Sequence, residues 1–224
     1  MKTLLILFAC LPFYCIAQTP AQTAALRKFA EDVCLKKMSG NDQRVVRYTT
    51  SPAISLYNES DPAAKDIFDA AVAEVNEALA PASFALSPSP PRNAEAPIRF
   101  VYCTRNQFVQ TCKNHHVTPE GTRNWISWFW LDQYHRIERS LVIITFNPAK
   151  PEDVARSTRQ ALMLAIGFGN FTSQPVPSVL SSSSAERAKI LTDYDRSMVS
   201  FFYSALQPGQ KAFEVRRAFD QYWK

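Results

Sequence analysis

The sequence has little glycine and little histidine, and it lacks any long run of one charge. Its 224 residues include 5 Gly and 3 His, against 15 Pro and 46% hydrophobic residues. This composition excludes collagen-like, coiled-coil and disordered chains and is typical of one ordinary globular domain. The formal net charge of +5 is spread over the chain, with no basic run longer than two residues. We therefore expect no nucleic-acid partner, because binding a phosphate backbone requires a basic stripe.

The longest apolar run lies at the N-terminus. Lys2 precedes an apolar stretch over residues 4–16 that a proline interrupts, and Ala17 follows it. About thirteen apolar residues are too few to cross a bilayer. A lysine, a short apolar stretch and small residues are typical of a signal peptide. We expect cleavage after Ala17 and export of residues 18–224 to the periplasm or the extracellular space, with no transmembrane segment left. A lipoprotein signal at Cys10 is the alternative.

Cysteine is also scarce once the expected signal peptide is removed, because only Cys34, Cys103 and Cys112 remain. In an oxidising compartment three cysteines permit one internal bridge. Cys103 and Cys112 are the most economical pair, since the short chain between them can turn back on itself, and we expect a disulfide between them. Cys34 follows apolar residues at helical spacing, so we expect it to be a buried, inert thiol.

Hydrophobic periodicity divides the remaining chain into helices and strands. Spacings of three and four residues, with caps and first-turn prolines, predict helices over residues 21–38, 62–80, 148–168, 192–203 and 212–222. Short β-rich runs predict strands over residues 45–48, 98–103, 124–131 and 141–146. These elements predict an α+β fold, with a mixed sheet, a long helix before and after it, and C-terminal helices. We expect an N-terminal helical arm over residues 18–43 and a single domain over residues 44–224.

The helix predicted to end near residue 168 closes with the sequence QALMLAIGFGN over residues 160–170. This stretch can be compared with the zinc-binding pattern H-E-x-x-H-x-x-G-x-x-H, in which two His and a third after a turn bind the metal and the Glu activates water. The positions of the two helical His, the Glu, the Gly and the last His fall on Gln160, Leu164, Ala161, Gly167 and Asn170. Only the turn glycine is retained.

The surroundings of this helix resemble the metzincin catalytic domain. A mixed sheet precedes the helix, a proline-containing loop ending at Leu180 follows it where metzincins have their Met-turn, and a helix capped at Thr192 comes next. Over about residues 44–210 the chain is similar to a bacterial family of exported proteins of unknown function with a degenerate metzincin-like (matrixin-like, zincin-like) core. Leu180 stands near the Met-turn position, where this sequence has no Met.

The resemblance implies a metzincin fold without its chemistry. Gln160 and Asn170 offer neutral amides and Leu164 a hydrocarbon, so we expect no zinc and no other cofactor at these positions. Ala161 cannot replace the general base. We therefore expect a non-catalytic protein that binds a protein or peptide of unknown identity.

A tryptophan-rich segment is the most informative candidate for binding. Over residues 124–131, alternation places Ile126, Trp128 and Trp130 on one face of a strand and Trp125, Phe129 and Leu131 on the other. A strand with two apolar faces is typical of one buried on both sides. The resemblance implies instead an antiparallel edge strand that lines a cleft, where Trp125, Trp128 or Trp130 would contact an extended peptide.

Two other functions stay open. A metal-dependent hydrolase would use His115, His116 and His135, or His115 and His116 with Cys103 and Cys112. A triad of His135, Asp132 and a serine, Ser127 or Ser140, lacks the G-x-S-x-G turn that presents a nucleophile. The third possibility is a purely structural envelope protein with no open cleft.

Overall fold

The computed structural model describes residues 20–57, 61–90, 92–93, 95–119, 124–183 and 187–223. The expected signal peptide over residues 1–17 and the alternative lipoprotein cysteine, Cys10, lie outside the described residues. Of the helices within these ranges, none combines the length and the apolar character needed to cross a membrane.

Six α-helices and seven strands make up the described part of the chain. The helices are α1 Pro20–Cys34, α2 Pro62–Leu79, α3 Phe108–Asn114, α4 Pro151–Ala165, α5 Asp193–Ala205 and α6 Ala212–Tyr222. The strands are β1 Lys36–Lys37, β2 Gln43–Arg44, β3 Ala53–Tyr57, β4 Ser87–Pro88, β5 Ile98–Cys103, β6 Trp125–Leu131 and β7 Ile137–Thr145. This composition confirms the predicted α+β class and the C-terminal helices.

Five strands form one mixed sheet in the order β4-β3-β5-β7-β6. β4, β3, β5 and β7 are parallel, whereas β6 runs antiparallel to β7 and lies at the edge. Trp128 pairs with Leu141, and Trp130 pairs with Arg139. β1 and β2 form a separate antiparallel pair.

Two helices begin at the signals that the sequence carries for them. Asp61 caps α2, its carboxylate accepting a hydrogen bond from the Ala63 N–H at 2.9 Å, and Pro62 occupies the first turn. Thr192 and Asp195 form a reciprocal capping box at the start of α5. Both signals act within four residues, so local sequence suffices to predict them.

The strand predicted over residues 45–48 is wrong, although Val45 and Val46 are fully buried. Val45 exchanges backbone hydrogen bonds with Gly209 and Gln210, both at 2.9 Å, and the Arg47 carbonyl accepts one from the Ile137 N–H at 3.0 Å. The segment is therefore extended but bonded to a loop and to one isolated bridge. The strand actually used, β3, and the short helix α3 lack a strong hydrophobic period and were not predicted.

Hydrophobic side chains fill both faces of the sheet. On one face the main core packs α1, α2, α4 and α5 against the strands. On the other face α3 covers a smaller second core. The second core consists of Val101, Cys103, Phe108, Cys112, Val117, Leu141 and Ile143. Both faces of the edge strand β6 therefore border a core.

Candidate functional site

The positions of the zinc-binding pattern are engaged in packing and structural hydrogen bonds. Gln160 is buried, and its amide Nε2 donates to the Val179 carbonyl at 2.8 Å, which ties α4 to the following loop. Ala161 is fully buried, and Leu164 packs against the main core. The Asn170 amide Nδ2 donates to the Leu35 carbonyl at 2.9 Å. The two amides therefore serve different neighbours and do not converge on one point.

Two glycines after α4 allow another part of the chain to approach very closely. Gly167 has φ +121°, and a Cβ there would lie 2.1 Å from the Val46 carbonyl oxygen. A Cβ on Gly169 would lie 2.0 Å from the Leu35 carbonyl oxygen. The glycine turn thus ends the helix and also seats the chain that follows α1, a second role that the sequence pattern did not indicate.

Replacement of Gly167 by alanine is expected to lower the free energy of unfolding by about 3 kcal/mol, because it combines a backbone clash with an unfavourable positive φ. Gly40→Ala is the matched control. Gly40 has φ +60° with no atom within 4 Å of an added Cβ, so only the backbone strain remains and about 1 kcal/mol is expected. Urea unfolding of both variants measures the difference, and equal losses would show that the close approach to Val46 is not a constraint.

A cavity of about 440 Å³ lies beside the glycine turn, between α1, α6 and the segment that contains Asn170 and Phe171. Its central carboxylate, Asp32, pairs with Lys28 at 2.9 Å and accepts a hydrogen bond from the Thr172 hydroxyl at 2.8 Å. The hydrogen bond and charge of Asp32 raise the pKa of Lys28. The polar groups of this cavity therefore already satisfy one another.

The strand β6 is the other candidate site, and the structure places it at the open edge of the sheet. Its residues are half-buried, except Trp128, which is 40% exposed. In the described part of the chain, no strand pairs with the edge that faces away from β7. β6 is therefore not a central strand buried on both faces.

The backbone register of β6 shows which groups face outward. The Thr145 N–H donates to the Asn124 carbonyl at 2.8 Å, and the pairing continues from Trp125 opposite Ile144. In an antiparallel pair, hydrogen-bonded and non-bonded positions alternate. Residues 126, 128 and 130 therefore bond to β7, whereas the N–H groups of Trp125, Ser127 and Phe129 point away from the sheet.

The side chains of β6 alternate as the sequence predicts. Trp125, Phe129 and Leu131 pack against the main core. Ile126 and Trp130 pack against the second core. Trp128 lies between them and is exposed, so the three tryptophans do not form one continuous wall. Trp125 contacts the ring of Phe171 edge-on at 6.1 Å between centroids.

The structure also shows two cations at β6 that the sequence pattern did not indicate. The Arg139 guanidinium lies 4.6 Å from the centroid of the Trp130 ring, and the Lys36 ammonium lies 4.9 Å from the centroid of the Phe129 ring. Arg139 comes from the neighbouring strand β7 and Lys36 from β1. A strand-pairing prediction could have found Arg139, but Lys36 reaches β6 through tertiary packing alone.

The histidines occupy two different parts of the fold. His115 caps the C-terminus of α3, and burial, followed by the charges of Arg99 and His116, lowers its pKa. His135 lies in the turn between β6 and β7, where a Cβ on Gly209 would be 3.3 Å from its ring. Across the described ranges, no three His, Cys, Asp or Glu side chains are grouped so that they could hold a metal ion.

The proposed triad is not assembled either. Ser140 is fully buried, and its hydroxyl donates to the Ala165 carbonyl at 2.7 Å. The Asp132 carboxylate accepts the backbone N–H groups of Tyr134 and Arg136 within its own turn. The Ser127 hydroxyl is buried and has no hydrogen-bond partner among the described residues. These groups therefore have no arrangement suited to nucleophilic catalysis.

The expected disulfide between Cys103 and Cys112 is wrong for this structure, because Cys34, Cys103 and Cys112 are all free thiols. Cys103 and Cys112 pack as apolar side chains in the second core, and the Cys103 thiol donates to the Ile144 carbonyl at 3.7 Å. Burial raises the pKa of Cys103 to about 11. Cys34 is a fully buried thiol, as predicted, and donates to the Met198 sulfur at 3.7 Å.

Comparison with known proteins adds no further identification. No family model matches the chain, and no curated protein matches its sequence. Its function therefore has to be inferred from its own residues and their geometry.

Proposed function

We propose that this protein is a non-catalytic module that binds an extended segment of another protein or peptide at the outer edge of β6. The observation that carries this proposal is the edge itself. The N–H groups of Trp125, Ser127 and Phe129 face away from the sheet, and Trp128 beside them is 40% exposed. An extended peptide can add a strand to such an edge, gaining backbone hydrogen bonds and side-chain contacts together.

Exposed apolar edge strands favour this function because they are costly to leave open. A row of unpaired backbone groups is a template for pairing with another chain, and proteins normally shorten, cover or charge such edges. β6 has seven residues, of which four are aromatic, namely Trp125, Trp128, Phe129 and Trp130. A partner strand would cover these groups.

We further propose that the scaffold is a degenerate metzincin-like domain that acts outside the cytoplasm. The element order supports this: a mixed sheet with an antiparallel edge strand, then α4 with its glycine turn, a loop and the capped helix α5. The sequence of residues 1–17 supports export to the periplasm or the extracellular space. The packing and hydrogen bonds of Gln160, Ala161 and Asn170 support a role without catalysis at this turn.

The strand-addition proposal can be tested with Ser127→Pro. Proline at an outward-facing position removes one donor and obstructs an added strand, while it leaves the bonds to β7 in place. We expect peptides selected from a display library of random nonapeptides to bind the purified full chain. Their affinity for Ser127→Pro should be at least about tenfold weaker, from the lost bond and the obstruction.

Ser127→Ala is the matched control, because it removes the hydroxyl and keeps the N–H, and it should bind like the wild type. Trp128→Ser provides a second variant in case the proline disturbs folding, and it should weaken binding about fivefold through lost apolar contact. Failure to select any peptide would contradict the proposal. So would equal affinity of Ser127→Pro and the wild type.

The hydrolase alternative predicts a different measurement. It requires stoichiometric zinc in the purified protein after metal loading and exhaustive dialysis, with loss of that zinc in His115→Ala or His116→Ala. Our proposal predicts no retained metal. Zinc that depends on either histidine would replace the binding module with a metal-dependent site on α3.

A further inference from the structure

We infer that the segment bound at the edge of β6 is acidic, with two neighbouring carboxylate side chains that meet a cation on each face of the strand. This inference rests on the proposed function and adds the charge of the partner. Trp130 lies on the face of the second core and carries the Arg139 guanidinium at 4.6 Å from its ring centroid. Phe129 lies on the opposite face and carries the Lys36 ammonium at 4.9 Å.

The two cations flank the same short stretch of the edge, because Phe129 and Trp130 are adjacent in the chain. A strand added beside β6 would lie about 4.8 Å away and would point successive side chains to opposite faces. One side chain would therefore stand beside Trp130 and Arg139, and the next beside Phe129 and Lys36. Two consecutive acidic residues match this arrangement.

The charge of Arg139 is available to a partner. Its side chain is exposed, and among the described residues no carboxylate lies within ion-pair distance of it. Glu138 precedes it in the chain at the irregularity between β6 and β7, but does not pair with it. Stacking on Trp130 holds the guanidinium over the aromatic face and directs it toward β6. A partner carboxylate would meet a positioned cation.

Two different roles for these cations would give different results. Positive charges on an edge strand can serve to prevent pairing between copies of the same chain. In that case neutralising Arg139 would cause self-association and leave peptide preference unchanged. An acidic oligosaccharide could also use an exposed tryptophan and a cation. The outward N–H groups at every second residue of β6 favour a peptide, because only a peptide strand repeats with the same spacing.

The test uses the purified full chain and three fluorescent, capped octapeptides. The first is Thr-Val-Thr-Glu-Glu-Val-Thr-Val, and the others carry Gln-Gln or Lys-Lys in place of Glu-Glu. Fluorescence anisotropy at low salt should show about fivefold tighter binding of the Glu-Glu peptide than of the Gln-Gln peptide, as expected for solvent-accessible ion pairs. The Lys-Lys peptide should bind more weakly than either, and added salt should reduce the preference.

Arg139→Gln should reduce the preference for Glu-Glu over Gln-Gln to about twofold or less. Arg217→Gln removes the same charge from an exposed position on α6 and should leave the preference unchanged. Equal binding of the Glu-Glu and Gln-Gln peptides would overturn this inference while leaving strand addition intact. Absence of binding to all three peptides, together with no effect of Ser127→Pro on any selected peptide, would instead overturn the proposed function.

Two further outcomes would contradict the acidic-peptide inference. Light scattering that shows self-association of Arg139→Gln, with unchanged peptide preference, would assign the cation to protection of the edge. Binding of trigalacturonate that requires Arg139 and Trp128, where the Glu-Glu peptide does not bind, would assign the surface to an acidic glycan.

Discussion

Asp195→Ala is expected to lower the free energy of unfolding by about 3 kcal/mol, because it leaves several buried donors without an acceptor. Asp195 is fully buried. Its carboxylate accepts hydrogen bonds from the Ser178 hydroxyl at 2.5 Å and from the N–H groups of Val179 and Thr192 at 3.1 and 3.0 Å. This one side chain therefore fixes the loop before α5 to the first turn of that helix.

Asp193→Ala is the matched control on the same helix. Asp193 is exposed in the first turn, where a carboxylate contributes about 0.5 kcal/mol through the helix dipole. Urea unfolding at neutral pH compares the two variants. A loss below about 1 kcal/mol for Asp195→Ala would show that the loop does not depend on this carboxylate.

The pH dependence of Asp195 has a defined sign. Burial raises the pKa of Asp195 above its ordinary value, although the Ser178 hydroxyl and the backbone donors oppose this. The folded state therefore holds the proton more tightly than the unfolded state does. The stability from this group is fully present below the ordinary pKa and is lost as the pH rises through the folded value.

The second large effect is expected from the ion pair that joins α2 to α4. Arg159 donates to Glu74 through Nε at 2.8 Å and through a second guanidinium nitrogen, and its side chain is only 9% exposed. Glu74→Leu leaves the buried guanidinium without a carboxylate and is expected to lower the free energy of unfolding by about 3 kcal/mol. Glu74→Leu combined with Arg159→Leu should recover most of this loss, because hydrophobic side chains replace both charges.

The exposed pair of Glu77 and Arg196, at 2.8 Å, supplies the control for this pair. Glu77 is 68% exposed, so Glu77→Ala should cost about 0.5 kcal/mol or less. A double-mutant cycle by urea unfolding measures the coupling between Glu74 and Arg159. Equal costs for Glu74→Leu and Glu77→Ala would contradict a buried, coupled pair.

The same pair predicts lower stability in acid. Burial tends to raise the pKa of Glu74, but hydrogen bonds from Arg159 and the Leu191 N–H outweigh it, and the pKa is lowered. Stability from this group is therefore present above the ordinary pKa of a glutamate and is lost as the pH falls through the folded value. Asp195 and Glu74 thus shift stability in opposite directions with pH.

The parts of the fold that depend on local signals could be predicted from the sequence. The cap and proline at Asp61 and Pro62, the capping box at Thr192 and the β-rich run of β5 each act within a few residues. The alternation over β6 also correctly assigned its two faces. Such patterns are sufficient because the backbone period alone determines which side chains share a face.

The remainder depends on contacts between distant segments. The residues over 45–48 have a strand-like composition but bond to Gly209 and Gln210, about 160 positions later in the chain. The expected bridge failed because Cys103 and Cys112 are both accommodated as buried apolar side chains. The position of Lys36 over Phe129 requires the arm to fold back onto β6. No periodicity within a short window contains this information.

Amide hydrogen exchange along β6, followed by NMR with and without a saturating selected peptide, tests the binding proposal most directly. We predict that the Ser127 and Phe129 N–H groups exchange rapidly in the free protein and become protected with peptide, whereas those of Ile126 and Trp128, which face β7, are protected in both states. Unchanged exchange at Ser127 and Phe129 in the complex would contradict strand addition at this edge.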